Sequence, residues 1–469
     1  MVFNKTGASV LAAIAAAGCT TTGAPAPKSP SATPPKVAFV ADPYPSTYHA
    51  YPGVPTVVAH VTIFDGEGGR IDDGSILLAD GKVTALGQSV DAPPGATVID
   101  GRGKFVTPGI IDIHSHLGDY PSPGVEGTAD GNEATGPVTA DVWAEHSVWP
   151  QDPGFSRAMA NGGITTLQIL PGSANLFGGR SVTLKNVPAR TMQGMKFPGA
   201  PYGLKMACGE NPKRVYGSRG QKPGSRMGNI AVDRATWARA AEYKRKWDKY
   251  DRDGGEPPAR DIAMDTLREA LAGTIEIQNH CYRADEMAVV IDMAKEFGYK
   301  VAAFHHAVEA YKIADLLAEN HICAALWADW WGFKMEAYDG ISENIPLVYN
   351  AGGCAVVHSD DENGIQRLNQ EAAKALAAGR RMGMTISDEQ AWTWLSYNPA
   401  KAMRIADRTG SLKPGKMADV VLWNGNPFSV YTRPEKVWVD GALLYDALDR
   451  ARRPVSDFEL GQPGEGDTK

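Results

Sequence analysis

The sequence predicts an α/β fold in which a (β/α)8 barrel accompanies a small composite β-sandwich formed by segments on either side of it. Three observations lead to this fold class. An apolar strand ends in a pair of histidines, strands then alternate with helices of about a dozen residues, and alternating strands with hairpin turns occur near both ends of the chain. The length of 469 residues is sufficient for both parts.

The first 54 residues are predicted to lie outside the folded body. Residues 1–19 contain one lysine and then small and apolar residues, which is typical of a signal peptide and too short to span a bilayer. Its end, Ala-Ala-Gly-Cys, resembles a bacterial lipobox that is lipidated at Cys19, and an ordinary signal peptide with an incidental cysteine is the alternative. Residues 20–54, dense in Thr, Ala, Pro and Ser, predict an extended tether. We therefore expect an exported protein of the cell envelope or periplasm, held at the membrane by this lipid anchor alone.

The segments 55–105 and 406–450 are predicted to form the β-sandwich. Both contain alternating strands broken by Asp-Gly and Gly-Lys turns, the pattern of β-hairpins. Because one segment precedes the barrel and the other follows it, we expect them to fold together and to stay away from the chemistry. Residues 106–405 then form the barrel, and residues 451–469 form a tail.

The barrel is expected to begin with an apolar strand at residues 108–116, which ends in His114 and His116. Side chains alternate along a strand, so both imidazoles lie on one face and can bind a single metal ion. Two histidines in a strand are also compatible with structural hydrogen bonding, so further ligands are needed to support a metal site.

Such ligands follow between residues 270 and 360, where four strands alternate with four helices. The predicted strands are 274–280, 300–306, 322–327 and 354–360, and the predicted helices are 285–297, 309–319, 343–350 and 366–378. Three of these strands end near a side chain that can bind metal, namely His280, His306 and Asp360. Because α/β barrels build their active sites at the C-terminal ends of the strands, this arrangement favours a metal centre over strand caps.

The order of these residues resembles the amidohydrolase superfamily, in particular its imidazolonepropionase-like branch of metal-dependent hydrolases. The resemblance includes both flanking β segments and covers most of residues 55–446. It implies a TIM-like barrel and one or two divalent metal ions, most readily zinc. The implied metal ligands are His114, His116, Glu210, His280, His306 and Asp360.

Two residues are candidates for the group that bridges two metal ions. In relatives it is a carboxylate or a carboxylated lysine on a strand between the first histidine pair and the third histidine. Glu210 follows an apolar strand and resembles the glutamate of sugar-phosphate deacetylases. Lys205 lies early in that strand and is expected to be too deep to reach the rim of the barrel comfortably. Glu210 is therefore preferred, and a third interpretation is that neither residue binds metal.

The resemblance also implies a mechanism. Divalent ions lower the pKa of a water molecule and make it a nucleophile at neutral pH, while Asp360 acts first as general base and then as general acid. His305 and His306 are adjacent, so strand alternation is expected to send only one of them inward. Relatives place His306 at the metal, and His305 then packs behind it or against a helix. His358, one layer below Asp360, is expected to orient its neighbours or to contact substrate.

Candidate substrate-binding residues are less well defined. Arg283 follows a predicted ligand by three residues and could receive a substrate carboxylate, although a surface salt bridge is an equal alternative. Asn132 and Glu133 lie in the long segment 118–156, which interrupts the barrel after its first strand and could form one wall of the pocket.

These features predict an enzyme that hydrolyses a C–N bond in a small amide, a short peptide such as a dipeptide, or a cyclic amide. Two alternatives remain. A deaminase of the same fold would need an additional acid, and a non-catalytic envelope binding protein is disfavoured because every expected ligand position is filled. The net charge of −7 and the pI near 5.8 disfavour nucleic-acid binding. A homo-oligomer is left open.

Two further expectations concern packing. Residues 234–252 are rich in charge and predict an exposed, solvated helix within an insertion at 216–258. The cysteines beyond Cys19 lie in or beside predicted strands, where buried free thiols are common. An exported compartment also permits disulfides, and Cys208 and Cys281 are expected to lie near the rim of the pocket.

Overall fold

The computed structural model describes residues 39–453, which contain two eight-stranded β-sheets. The strands are β1 (Thr56–Phe64), β2 (Arg70–Ala79), β3 (Lys82–Gly87), β4 (Thr97–Asp100), β5 (Phe105–Pro108), β6 (Ile110–Ser115), β7 (Ile164–Ile169), β8 (Phe177–Lys185), β9 (Gly203–Ala207), β10 (Glu276–Cys281), β11 (Val301–His306), β12 (Cys323–Leu326), β13 (Cys354–Val357), β14 (Val420–Trp423), β15 (Pro434–Val439) and β16 (Ala442–Asp446). The α-helices are α1 (Pro153–Gly162), α2 (Glu210–Gly217), α3 (Arg226–Asp253), α4 (Ile262–Ala272), α5 (Ala284–Phe297), α6 (Ala314–Glu319), α7 (Asn344–Asn350), α8 (Leu368–Arg381), α9 (Asp388–Trp392) and α10 (Tyr397–Ala402).

The β domain combines strands from both ends of the chain, which confirms the predicted composite domain. Its sheet has the order β16-β15-β14-β5-β1-β2-β3, and β4 pairs with β1 outside this path. β14 pairs antiparallel with β5, which joins the C-terminal segment to the N-terminal one. Asp80 and Gly81, between β2 and β3, have φ angles of 52° and 74°. These left-handed values are the ones that a two-residue Asp-Gly hairpin turn requires.

The barrel sheet follows the order β13-β12-β11-β10-β9-β8-β7-β6 and is almost closed. At the junction of β13 and β6, the N–H of Asp360 donates to the carbonyl oxygen of His114 at 3.0 Å. The sheet departs from an all-parallel barrel at β8, which is antiparallel to both β7 and β9. The short connection of residues 170–176 explains this, because a parallel neighbour needs a crossover of a dozen or more residues.

The four predicted repeats of strand and helix are present. β11, β12 and β13 fall within the predicted strand segments, and β10 extends one residue beyond its segment, to Cys281. Helices α5, α7 and α8 follow β10, β12 and β13. The second repeat differs, because a 3-10 turn occupies Ala310–Ile313 before the short helix α6. Neighbouring strands of this group are parallel, so their C-terminal ends meet at one end of the barrel.

Helix α3 is not the solvated excursion that its charge predicts. It has 28 residues, and Trp237, Tyr243 and Trp247 on one side of it are buried. The ring of Trp237 stacks on Tyr299 with a centroid distance of 4.4 Å. The charged residues between these aromatics hide their helical spacing, so the buried side of α3 becomes visible only in the tertiary structure.

The predicted tether is wrong for residues 41–54, because this segment contacts the folded body. Tyr48 Oη donates to Asp440 Oδ2 at 2.5 Å, and Ser46 Oγ donates to the carbonyl oxygen of Lys196 at 2.6 Å. Composition indicates an extended chain correctly, but it carries no information about the distant side chains that hold this one in place.

Other predicted terminal features lie outside the described residues. These are the signal peptide with Cys19, the tether at residues 20–38 and the tail at residues 454–469. None of the helices found between residues 39 and 453 combines the length and the hydropathy that a bilayer crossing demands.

A buried ion cluster links the barrel to the β domain. Lys185 Nζ, at the end of β8, lies 3.0 Å from Asp419 Oδ1 and 2.9 Å from Asp440 Oδ1. All three side chains are buried. Removing the ammonium group would leave two carboxylates without a counter-charge in a medium of low dielectric.

Substitution Lys185→Met is therefore expected to lower the free energy of unfolding by about 3–5 kcal/mol. Urea-induced unfolding monitored by tryptophan fluorescence measures this loss. Lys295→Met is the control, because the side chains of Lys295 and its partner Asp292 are 60% and 81% exposed, and exposed pairs contribute about 1 kcal/mol or less. Equal losses in the two variants would contradict the structural role of the buried cluster.

The cysteines of the barrel form two disulfides, Cys208–Cys281 and Cys323–Cys354. The sequence is compatible with either free thiols or disulfides at these cysteines. The structure favours disulfides, because the pairing of neighbouring strands brings the Cα atoms of each pair to 5.2 Å and 4.4 Å, within the range that a disulfide can bridge.

Peptide mapping without reductant is expected to recover both linkages. Replacing Cys323 and Cys354 together by serine is expected to lower the free energy of unfolding by about 2–4 kcal/mol, because the cross-link restricts the unfolded chain. Alkylation of four thiols in denatured, unreduced protein would contradict the assignment.

Candidate active site

The candidate site lies at the C-terminal ends of barrel strands. His114 belongs to β6 and His116 follows that strand, His280 belongs to β10, and His306 ends β11. Asp360 follows β13. The structure therefore brings these five predicted ligands to the same end of the barrel, as the parallel pairing of β10 to β13 requires.

His114, His116 and Asp360 form one group of potential metal ligands. The Nε2 atoms of the two histidines are 3.3 Å apart, and Asp360 Oδ1 lies 3.3 Å from each of them. One metal ion can contact all three atoms at this spacing, since metal–ligand distances to His nitrogen and carboxylate oxygen are about 2 Å.

A second group surrounds His306. Ligand atoms of His114, His306 and His358 all lie within 4.8 Å of one another, and the ring of His280 is 4.6 Å from that of His306. His358 Nε2 accepts a hydrogen bond from the backbone N–H of His306 at 3.2 Å, while its Nδ1 is buried without a hydrogen-bond partner. The hydrogen bond through Nε2 helps to fix the position of His306.

The prediction that only one of His305 and His306 points inward is wrong. His305 Nδ1 lies 2.9 Å from His114 Nδ1, and its Nε2 lies 2.8 Å from Gln278 Oε1. His306 also reaches the cluster because its φ is 69°, a left-handed conformation that ends the alternation of the strand. His305 therefore lies inside the barrel and holds the His114 ring rather than packing against a helix.

Lys205, rather than Glu210, reaches the histidines. Its Nζ lies 3.3 Å from His114 Nε2, so the expectation that Lys205 is too deep is wrong. A lysine side chain is long enough to extend from the middle of a strand to its end. Gly209 has a φ of 80° before α2, where the chain turns, and Glu210 Oε1 lies at the rim, 3.8 Å from Lys334 Nζ.

Burial favours the neutral form of three imidazoles in the cluster, those of His114, His280 and His306. Burial, with the nearby charge of Lys205, holds the pKa of His114 well below its usual value, and burial does the same for His280 and His306. A neutral imidazole can offer a lone pair to a metal. The Nδ1 atoms of His280 and His306 are buried without a hydrogen-bond partner, which a bound ligand would relieve. The residues present therefore fit a divalent ion.

A further layer of polar groups fixes these side chains. Asp112 accepts hydrogen bonds from the N–H groups of His114 and Ser359, each at 3.2 Å, and from Ser359 Oγ. Burial raises the pKa of Asp112 to about 7. His116 Nδ1 lies 2.7 Å from the carbonyl oxygen of Leu170. That oxygen can only accept, so it places the proton on Nδ1 and leaves Nε2 free to face the site.

Comparison with known proteins agrees with this geometry. The model of the amidohydrolase family matches residues 105–444, which is most of the chain. The chain belongs to the amidohydrolase family. The match extends from β5, which leads into the barrel, into β16, so it includes the barrel and the part of the β domain outside β1 to β4.

Similar proteins agree with the family. An amidohydrolase from Thermotoga maritima MSB8 has a solved structure with a TM-score of 0.77 and 34% identity, covering 83% of this chain and 100% of that one. Amidohydrolase tasK of Hapsidospora irregularis is 31% identical over 433 residues, which are 84% of this chain but 43% of that protein. The chain thus spans less than half the length of that relative. An imidazolonepropionase of Idiomarina loihiensis is 46% identical over 59 residues, 12% of this chain and 14% of that protein, so support for that branch comes from a short segment.

Asn132 and Glu133 do not reach the histidine cluster of this amidohydrolase. Asn132 Nδ2 donates to Tyr120 Oη at 2.5 Å, and the Tyr120 ring lies 5.6 Å from that of His116. Asn132 therefore supports an aromatic side chain beside the site. Glu133 is exposed.

Arg283 does not reach the cluster either, because its guanidinium pairs with Asp285 at 2.9 Å, the surface salt bridge that the sequence also allowed. The cation beside the site is instead Lys334. Its Nζ lies 3.1 Å from Asn211 Oδ1 and 3.9 Å from the centre of the Tyr282 ring. Lys334 belongs to a loop rich in tryptophan between β12 and α7, and this composition was the signal that could have marked the loop as part of the site.

Proposed function

We propose that this amidohydrolase hydrolyses a C–N bond of a small amide, dipeptide or cyclic amide with the help of one or two divalent metal ions, zinc first among them. The observation that carries this proposal is the cluster of histidines with one carboxylate at the C-terminal end of the barrel. A divalent ion in such a site lowers the pKa of a water molecule and polarises a carbonyl group.

Each ligand has a proposed place. His114, His116 and Asp360 would hold one ion, and His280 with His306 would hold a second. His358 is proposed as the orienting group of His306, because its Nε2 accepts a hydrogen bond from the backbone N–H of that residue.

Lys205 is proposed as the bridging group. Burial lowers its pKa to about 7, so a large fraction of the amine is neutral at physiological pH. The nitrogen lone pair of a neutral amine can attack the carbon of carbon dioxide, and loss of one proton then gives a carbamate. This change converts a cation beside His114 into an anion with two oxygen ligands. It also removes the repulsion between Lys205 and bound metal ions.

Asp360 is proposed as the proton carrier. Its side chain is 28% exposed, while Oδ1 faces His114 and His116, so the carboxylate can contact ligands and substrate together. As a general base it accepts the proton of the attacking water, and as a general acid it returns this proton to the departing nitrogen. One carboxylate thereby serves both halves of the reaction.

Metal content and hydrolysis measured together test this function. Protein grown with zinc or manganese is expected to contain about one to two divalent ions by elemental mass spectrometry and to release amine from members of a panel of amides and dipeptides. His114→Ala is expected to lose both properties. Metal-free, inactive wild-type protein would instead favour an envelope binding protein, and ammonia release from amino-heterocycles alone would identify a deaminase.

We also propose export to the cell envelope with lipidation at Cys19. Two disulfides within residues 39–453 support an oxidising compartment. The test is labelling of the full chain with radioactive palmitate in a bacterial host, where Cys19→Ser is expected to abolish the label. Recovery of the unlabelled wild-type chain in the cytosol would contradict this proposal.

A further inference from the structure

An aromatic wall extends outward from the histidine cluster. The indole of Trp327 stacks on the His306 ring at 4.3 Å, and Trp330 stacks on Trp327 at 4.7 Å with nearly parallel planes. Phe333 meets both indoles edge-on, with centroid distances of 5.7 Å and 6.1 Å. A continuous apolar surface thus begins at a proposed metal ligand and ends near the mouth of the barrel.

The same loop encloses a cavity beside His306. Its volume is about 270 Å³, and its lining includes His306, Val308, Trp327, Trp330, Trp331 and Asn344. Pockets that enclose an entire drug-sized ligand are larger, at about 300–1,000 Å³. This cavity is therefore suited to one large side chain of a substrate whose scissile bond lies at the histidine cluster.

Lys334 places a positive charge beside this wall. Its side chain is only 17% exposed, and its nearest carboxylate, Glu210, lies 3.8 Å away, too far for a good hydrogen bond. Nζ donates to Asn211 Oδ1 at 3.1 Å. An ammonium group has three donors, so this contact leaves donors for an anionic ligand. The charge is close enough to the cluster to contribute to the lowered pKa of His280, after the larger effect of burial.

We infer that the loop between β12 and α7 selects substrates that carry one large apolar side chain and one free carboxylate, which are N-acyl amino acids or dipeptides with an aromatic residue. The apolar side chain contacts the wall formed by Trp327, Trp330 and Phe333, and the carboxylate pairs with Lys334. This inference rests on the proposed hydrolysis of a C–N bond and adds the substrate class.

A basic side chain fits this surface less well. Lys334 Nζ already lies over the Tyr282 ring, so a second cation at the aromatic rings would meet its charge. A preference for N-acetyl-lysine over N-acetyl-phenylalanine would overturn the inference.

A matched set of substrates separates the two contacts. N-acetyl-phenylalanine is compared with N-acetyl-alanine, which lacks the ring, and with N-acetyl-phenethylamine, which lacks the carboxylate. kcat/KM is expected to be at least about tenfold higher for N-acetyl-phenylalanine in each comparison. Lys334→Met is expected to remove the preference for the carboxylate and to keep the preference for the ring, and Trp330→Ala is expected to do the reverse. Lys295→Met, which removes an exposed cation on α5, is the control and is expected to keep both preferences.

Binding of N-methanesulfonyl-phenylalanine, in which a sulfonamide replaces the scissile amide, provides a readout other than hydrolysis. Affinity measured by calorimetry is expected to fall at least about tenfold in Lys334→Met and in Trp330→Ala. Hydrolysis of the three acetyl compounds at similar rates would overturn the inference and leave the proposed hydrolysis intact. Binding that depends on both residues without turnover of any amide would support the recognition and refute the hydrolysis.

Discussion

Substitution Lys205→Met is expected to lower the metal content of this amidohydrolase by about one ion per chain and to reduce kcat/KM for amide hydrolysis at least about 100-fold. The reason is the position of Nζ, 3.3 Å from His114 Nε2 inside the ligand cluster. Methionine has a similar length and is apolar, so it removes the amine while filling most of the same space. Elemental mass spectrometry and steady-state kinetics on the same preparation measure both effects.

Glu210→Gln is the matched control for this experiment. Glu210 lies at the rim beside Lys334, so its replacement by glutamine is expected to change the metal content little. Loss of an ion in Glu210→Gln but not in Lys205→Met would assign the bridging role to Glu210 and contradict the role proposed for Lys205. Mass spectrometry of the intact native protein adds an independent readout, because a carbamate on Lys205 increases the mass by one molecule of carbon dioxide.

Substitution Asp360→Asn is expected to reduce kcat by about 10²- to 10⁴-fold, because an amide cannot accept the proton of the attacking water. An asparagine oxygen can still face His114 and His116, so at least part of the metal is expected to remain. Kinetics with an amide and with an anilide that has a better leaving group measure this, and the loss is expected to be smaller for the anilide, whose nitrogen needs less protonation.

Asp361→Asn is the control, since Asp361 accepts hydrogen bonds from the N–H groups of Asn363 and Gly364 and serves the local turn. It is expected to keep nearly full activity. Equal losses in Asp360→Asn and Asp361→Asn would contradict a specific role for Asp360 in proton transfer, and complete loss of metal in Asp360→Asn would assign it to metal binding alone.

The parts of the fold that the sequence predicts well are those with local signals. The strands that carry His114, His280 and His306 are short apolar runs, each ending at a polar residue, and the Asp-Gly turn at Asp80 specifies its hairpin directly. The clustering of these histidines at one site can be predicted because the C-terminal ends of parallel strands lie together whatever the details of packing.

The features that the sequence predicts poorly depend on the direction in which a side chain points and on contacts with residues far away in the chain. Adjacent His305 and His306 both enter the cluster because one backbone angle leaves the β region, and strand alternation alone forbids this. The sequence favours Glu210 over Lys205 because a residue count along the strand ignores the length of the lysine side chain. The aromatic face of α3 was concealed by the charges on its other sides.

The sequence by itself determined the class of this protein, because the order of metal-type residues at strand ends and the two flanking β segments are local patterns that survive any uncertainty about packing. Only the tertiary structure decided which groups meet. It placed Lys205 rather than Glu210 beside His114, joined the cysteines in pairs, and set Lys334 next to the aromatic wall. These contacts join residues far apart in the chain, and their geometry follows from side-chain reach, left-handed backbone turns and strand pairing, none of which a linear pattern specifies.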